Sequence, residues 1–370
     1  MKKLSLLVSL LVAVVMLLAA CTPAPTPTPA MTEPPATEPP ATEPPLPPLG
    51  STERPIKVLF VPSVDNTAII SGGEILQQAL SDATGYSFVV SVPTSYAATI
   101  EEMCASPDDT MGFIPGLGYA LANQLCGVTV GAKAVRFGLD WYAAQIIVKR
   151  DSAFQTVADL NGLKWAYPDA TSTSGYLYPQ YMFQEAGITV GETVEAGSHD
   201  AVVRAVYNGE VDFGTTFWSP PNVQQEDGSF LSLGVTLGVD SLLQPEIPEE
   251  LIPDCAVTED GKKILCGTYE VRDARRNIRA EATDVIQMVR ILAVTPAIAN
   301  DTLSFGPGFD TAVRDAILTA LFDFATNDPE GFATAFQSYS WTNVIPATDA
   351  DYDPIRSAIE ASGFSLENLP

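Results

Sequence analysis

The sequence predicts an α/β protein of two lobes with a ligand cleft between them. Three observations carry this reading: short apolar runs alternate with helical segments from Ile56 onward, the alternation starts again near residue 163, and helical patterning closes the chain. In the first run the spacing predicts strand Ile56–Val61, helix Gly73–Ala83 ending near Gly85, strand Ser87–Val92, helix Ala97–Ala105 and strand Thr110–Ile114. Strands in βαβαβ order imply a parallel sheet wrapped by helices. Val128–Val135 and Trp141–Lys149 supply further strands. The second run reads strand Leu163–Tyr167, a helix from about Ser174, strand Thr193–Ala196, helix Ser198–Asn208 and strand Val211–Gly214. A long apolar stretch at Gln287–Ser304 precedes helix Asp310–Ala325, which carries Val313, Ile317, Leu321 and Phe324 on one face. The chain is expected to cross between lobes near Tyr142–Ile147 and to return near Val294–Asn300. The domain boundaries are then 56–146 for the first part of lobe 1, 147–297 for lobe 2, and 298–370 for the return to lobe 1 with C-terminal helices.

Ahead of this body lies export chemistry. Lys2 and Lys3 form a basic start, Leu4 to Leu18 is apolar apart from Ser5 and Ser9, and small residues precede Cys21. Residues 1–20 read as a signal peptide, because the apolar run is short for a bilayer span of about 20 residues. Leu18-Ala19-Ala20-Cys21 resembles a bacterial lipobox, which implies that Cys21 becomes the lipidated first residue of the mature chain. Residues 21–55 read as a tether. Their Thr-Glu-Pro-Pro repeats at Thr32, Thr37 and Thr42 cannot pair strands or fill a core and favour extended polyproline geometry. The expected location is the cell envelope, lipid-anchored outside the cytoplasmic membrane. Four other cysteines remain, an even number in an exported chain, and the local pairing Cys104–Cys126 with Cys255–Cys266 is preferred among the three that exist.

Composition removes whole classes of function. The 370 residues carry 19 Lys and Arg against 45 Asp and Glu, a formal net charge of −26. Broad nucleic-acid binding needs clustered cations on phosphates, so no nucleic-acid partner is expected. His199 is the one histidine, which excludes metal sites built from several imidazoles. No Gly-x-Ser-x-Gly elbow, His-Glu-x-x-His helix or Walker loop is present. The reading is a binding protein rather than an enzyme, with no metal and no cofactor.

Two strand-to-helix loops have the chemistry of an anion site. Asp169-Ala170-Thr171-Ser172-Thr173-Ser174-Gly175 places four consecutive hydroxyls where a helix begins with unpaired N–H groups and partial positive charge. Ala196-Gly197-Ser198-His199-Asp200 repeats the arrangement, with Ser198 as a natural cap and His199 in the first turn. Hydroxyls and amides at such helix starts wrap a tetrahedral oxyanion without a full positive charge.

Ser172 to Leu177, Gly197 to Ala201 and Asn208 to Asp212 together resemble the phosphate/phosphite/phosphonate-binding proteins of ABC importers. Pro115-Gly116-Leu117-Gly118-Tyr119 is similar to a Gly-Pro-x-x-Tyr turn of that family, and Thr295-Pro296 adds support. The resemblance implies a periplasmic-binding-protein type II fold, a monomer that closes on a small oxyanion, and delivery of phosphonate, phosphite or phosphate to a membrane permease. Carried over, it implies that Ser172, Thr173, Ser174 and His199 hold the oxyanion, with Tyr119 and Tyr96 contacting it from the other lobe. The chain departs from the family at Thr215-Thr216-Phe217-Trp218-Ser219, where Trp218 is bulky and no carboxylate follows until Glu226. That favours a smaller or more apolar ligand. The alternatives are another organic anion, a sulfonate or a phosphorylated vitamin precursor stacked on Trp218, or an exported phosphoester hydrolase. An insertion at Asp227–Arg279 carries Lys262, Lys263, Arg272, Arg275, Arg276 and Arg279 among acidic residues, which reads as a solvated face with ion pairs.

Overall fold

Ile56–Phe60 (β1), Phe88–Ser91 (β2) and Thr110–Ile114 (β3) pair in parallel, joined by helices Asn66–Thr84 (α1) and Tyr96–Ala105 (α2). A computed structural model gives this architecture and describes residues 45–237 and 246–364. The leader, Cys21 and most of the tether lie outside the described residues. Helix α1 begins seven residues before the sequence prediction, because Asp65 caps it by accepting the Ala68 N–H at 3.0 Å. It ends as expected, with Gly85 at φ +73°.

Gly116–Cys126 (α3) follows β3, and then come Thr129–Val135 (β4) and Trp141–Lys149 (β5). Lobe 2 is built on β5 with Trp165–Tyr167 (β6), Thr193–Glu195 (β7) and Phe213–Trp218 (β8). Helix Tyr178–Glu185 (α4) lies between β6 and β7, and His199–Asn208 (α5) between β7 and β8. The predicted strand Val211–Gly214 is displaced: it starts at Phe213 and continues to Trp218, antiparallel to β5.

The insertion supplies four strands, Phe230–Ser232 (β10), Ala256–Val257 (β11), Ile264–Cys266 (β12) and Tyr269–Glu270 (β13), to a small antiparallel sheet of five whose remaining strand, Asn222–Gln224 (β9), lies just before it. Its cations are not simply a solvated face. Arg275 is 1% exposed, donates to both Asp273 oxygens at 2.9 Å, and grips the two Glu246 oxygens at 3.0 Å. Arg272 pairs with Glu270 at 2.7 Å and covers the Phe137 ring at 4.0 Å. Burial without these partners would leave cations desolvated and unpaired, so the interleaved acids are structural.

Val289–Val294 (β14) closes the lobe-2 sheet beside β5, Ile298–Ala299 (β15) pairs with Trp141 and Tyr142, and Thr302–Phe305 (β16) re-enters the lobe-1 sheet. The lobe-1 order is β17-β4-β16-β3-β1-β2, with Asn343–Pro346 as β17. Two antiparallel segments, 136–141 and 295–301, therefore run between the lobes, slightly ahead of the predicted crossing for the first. Helices Thr311–Asn327 (α6), Pro329–Ala335 (α7) and Asp353–Ser362 (α8) complete the described chain. Disulfides join Cys104 to Cys126, between α2 and α3, and Cys255 to Cys266 in the insertion, the local pairing expected. Loops of 22 and 11 residues give about 3 kcal/mol each by chain entropy.

Candidate ligand-binding site

Strand β6 ends at Tyr167, and the chain then turns through Pro168 into the hydroxyl tract. Ser172 caps the next turn, its Oγ accepting the Gly175 N–H at 3.0 Å. Thr173–Leu177 is a wide turn in which the Tyr178 N–H reaches back to the Thr173 carbonyl, and Pro179 then fits the first turn of α4. The helix expected from about Ser174 therefore begins with this wider turn. The Thr173 and Ser174 amides have no acceptor among the described residues. Gly175 is required here, since a Cβ would stand 2.2 Å from the Pro168 ring. The Gly175 carbonyl is taken by the Thr215 hydroxyl, which itself accepts from Trp165 Nε1 at 2.9 Å.

The second loop is tied to the same proline. Gly197, at φ +82°, donates its N–H to the Pro168 carbonyl at 2.8 Å. Ser198 caps α5 by accepting the Ala201 N–H at 3.2 Å, which puts His199 first in the helix. Both polar helix starts thus face one cavity, beyond the carboxyl ends of β6 and β7, where open α/β sheets bind ligands.

That cavity is small, about 40 Å³. Ser172, Ser174, His199, Phe217 and Ser219 line it from lobe 2. Lobe 1 contributes Ser63 and Val64 after β1, Tyr96 at the start of α2, Pro115 after β3, and Ser338 to Ser340. Arg136, Tyr142 and Asp301 complete it from the segments that cross between lobes. The walls are closed: Tyr96, Tyr142, Ser172, Ser174 and His199 are each buried. Cross-cleft hydrogen bonds hold this state, from the His199 N–H to the Ser63 carbonyl at 3.0 Å and from the Tyr96 N–H to Asp169 at 3.2 Å.

His199 is 4% exposed, and its Nδ1 has no partner among the described residues. Its ring meets Phe217 edge-on at 5.1 Å. Burial, and then the charge of Arg136, push its pKa down to about 3, so the imidazole is neutral. Burial is also the main cause of the raised pKa of Tyr96, Tyr142 and Tyr339, which are all hydroxyl donors at neutral pH. The Tyr142 hydroxyl meets Ser174 and Thr173.

Of the residues expected to touch a ligand, Ser172, Ser174, His199 and Tyr96 share the cavity. Three do not. The Thr173 hydroxyl turns to α3, where it accepts the Leu117 N–H at 2.8 Å. Tyr119 is directed to the C-terminal segment, with its hydroxyl on Asp349 at 2.6 Å and its ring edge-on to Tyr352. Trp218 is 1% exposed and lies in the lobe-2 core. Successive residues of a strand face opposite sides, so its neighbours Phe217 and Ser219 face the cavity instead.

Sequence reasoning missed Arg136, Tyr142 and Asp301. Arg136 donates to the Asp301 carboxylate, to Asn300 Oδ1 at 2.8 Å and to the Tyr339 carbonyl at 3.0 Å. The only local signal was their position at the crossings, since 165 positions separate Arg136 from Asp301.

The family model described as ABC transporter, phosphonate, periplasmic substrate-binding protein matches residues 58–352. The chain belongs to this family. This phosphonate-type binding protein is accordingly an extracytoplasmic component of an ABC importer, with a small-molecule ligand and a membrane permease as partners. Solved structures share its two-lobed fold. The binding-protein component of an ABC phosphonate transporter from Pseudomonas aeruginosa superposes with a TM-score of 0.62 at 17% identity, covering 83% of this chain and 86% of that one. PhnD1 from Prochlorococcus marinus, in complex with methylphosphonate, gives 0.59 at 14% identity over 82% and 97% of the two chains. A Xanthomonas citri protein bound to chloride gives 0.58 at 15% identity over 83% and 97%.

Proposed function

We propose that this protein captures a small phosphonate, phosphite or phosphate in the cleft and hands it to its permease. One observation carries the reading: two helix starts, the hydroxyls of Ser172, Ser174 and Tyr142, and the unpartnered Nδ1 of His199 converge on one buried cavity. Its small volume favours a small anion over a bulky organic one. The methylphosphonate held by PhnD1 of Prochlorococcus marinus is a ligand of this kind. A sulfonate or vitamin precursor stacked on Trp218 is disfavoured by the packing of that indole in the lobe-2 core.

In this reading the protein acts as a monomer, performs no catalysis, and is held at the membrane by a lipid on Cys21 through the tether of residues 21–55. Calorimetric titration with methylphosphonate, phosphite and phosphate tests the ligand class, and absence of heat and of thermal stabilisation with all three overturns it. Cys21→Ser tests the anchor. The protein is expected to move from the membrane fraction to the soluble fraction, and retention in the membrane would refute lipidation at that residue.

A further inference from the structure

Resting on the proposed ligand class, we infer that Ser340 is a further ligand-binding residue, a hydroxyl donor to the anion, and that Arg276 of the insertion positions and polarises it from behind.

Two unusual backbone positions lead to this pair. Among the described residues, Phe137 at +53° and Ser340 at +59° are the two that have positive φ without being glycine. Both meet Arg276. Its guanidinium lies 5.8 Å from the centre of the Phe137 ring and donates to Ser340 Oγ at 2.8 Å. A side chain with a Cβ takes this conformation at a cost, and such positions cluster where ligands are gripped. Phe137 stands in the first crossing between lobes, its N–H on Thr342 Oγ1 at 3.0 Å. Ser340 belongs to lobe 1, in the segment before β17, and lines the ligand cavity.

The hydroxyl of Ser340 has one hydrogen and two lone pairs. Arg276 takes a lone pair, so the hydrogen is turned away from the guanidinium, and it has no acceptor among the described residues. A bound oxyanion supplies one. The guanidinium behind the hydroxyl strengthens the donor, because hydrogen bonds in a chain polarise one another.

Arg276 is also the cation that an anion would compensate. Arg272 and Arg275 each pair with carboxylates of the insertion, whereas Arg276 forms no ion pair among the described residues and its buried Nε has no partner. Burial, and then the charges of Arg272 and Arg279, push its pKa down to about 9. Asp65 and Asp200 line a second cavity of about 360 Å³ with Arg276, but Asp65 caps α1 and Asp200 takes the Asn277 amide at 2.8 Å. Arg276 belongs to lobe 2, so closure of the lobes is what brings its charge to Ser340.

The test is calorimetric titration of the full chain in detergent with methylphosphonate. Ser340→Gly deletes the hydroxyl at a backbone conformation that glycine takes freely, so its melting temperature is expected to equal or exceed that of the wild type. Its affinity is expected to fall about tenfold or more. Arg276→Met is expected to weaken binding by a similar factor, and the double variant to be no weaker than either single one, because the two act through one contact. In solution scattering, unliganded Ser340→Gly is expected to keep the wild-type radius, since the Thr173–Leu117, His199–Ser63 and Tyr96–Asp169 hydrogen bonds still join the lobes. Affinity of Ser340→Gly within twofold of wild type overturns the inference and leaves the phosphonate reading standing. A larger radius overturns the donor role, because the loss of affinity then comes from lobe opening. Wild-type affinity in Arg276→Met, or losses that add in the double variant, overturns the role of Arg276. If Arg276→Met does not fold, Arg276→Gln takes its place in the same comparison. A wild type that binds none of methylphosphonate, phosphite and phosphate overturns the ligand class and this inference with it.

Discussion

The Thr173 hydroxyl accepts the Leu117 backbone N–H at 2.8 Å, from lobe 2 to the first turn of α3 in lobe 1. The third residue of the hydroxyl tract therefore joins the lobes, while its neighbours Ser172 and Ser174 face the cavity. Thr173→Val keeps the shape and deletes the acceptor, leaving a buried N–H unpaired. The closed state is expected to lose about 1–3 kcal/mol. Calorimetry is expected to show weaker methylphosphonate binding by about tenfold, and solution scattering a larger radius in the unliganded protein.

Phe217 and Trp218 are adjacent but face opposite sides of β8, so their substitutions separate binding from stability. Phe217→Ala removes the wall beside His199. It is expected to weaken methylphosphonate and to favour phosphonates with longer alkyl groups, read as a reversed order of Kd values. Trp218→Phe is expected to preserve the order and to lower stability by about 1–3 kcal/mol in a denaturant titration.

His199 sets an acid limit. Its folded pKa is lowered to about 3, whereas the unfolded side chain titrates near 6.5. Between these values the unfolded state binds a proton that the closed, unliganded state does not. The contribution of His199 to stability is therefore complete above about pH 6.5 and is lost as pH falls toward 3. The melting temperature of unliganded wild type is expected to drop faster across this window than that of His199→Asn. Bound anion should shrink the difference, because its charge favours imidazolium.

Arg275 does not line the ligand cavity and tests the insertion. Burial alone would push its pKa down, but Asp273 and Glu246 hold it above the usual arginine value. Arg275→Ala leaves both carboxylates without this partner and is expected to cost about 3–5 kcal/mol. Replacing Arg275, Asp273 and Glu246 together by apolar residues of similar volume should recover much of that loss in the same unfolding measurement.

Local order along the chain determined the alternating α/β elements, the glycine stop at Gly85, the cap at Ser198 and the hydroxyl tract at a helix start, and left three cysteine pairings among which the structure forms the local one. Each determined feature arises from residues within a few turns of one another, where hydrophobic period and capping chemistry act directly. Tertiary structure decided the rest. Strand register sent Phe217 to the cavity and Trp218 to the core, a difference of one residue that composition does not encode. Lobe closure turned Thr173 from a ligand group into a latch and directed Tyr119 to Asp349. The antiparallel crossings brought Arg136 to Asp301 from opposite ends of lobe 2, so the charge balance of the pocket exists only once both segments are in place.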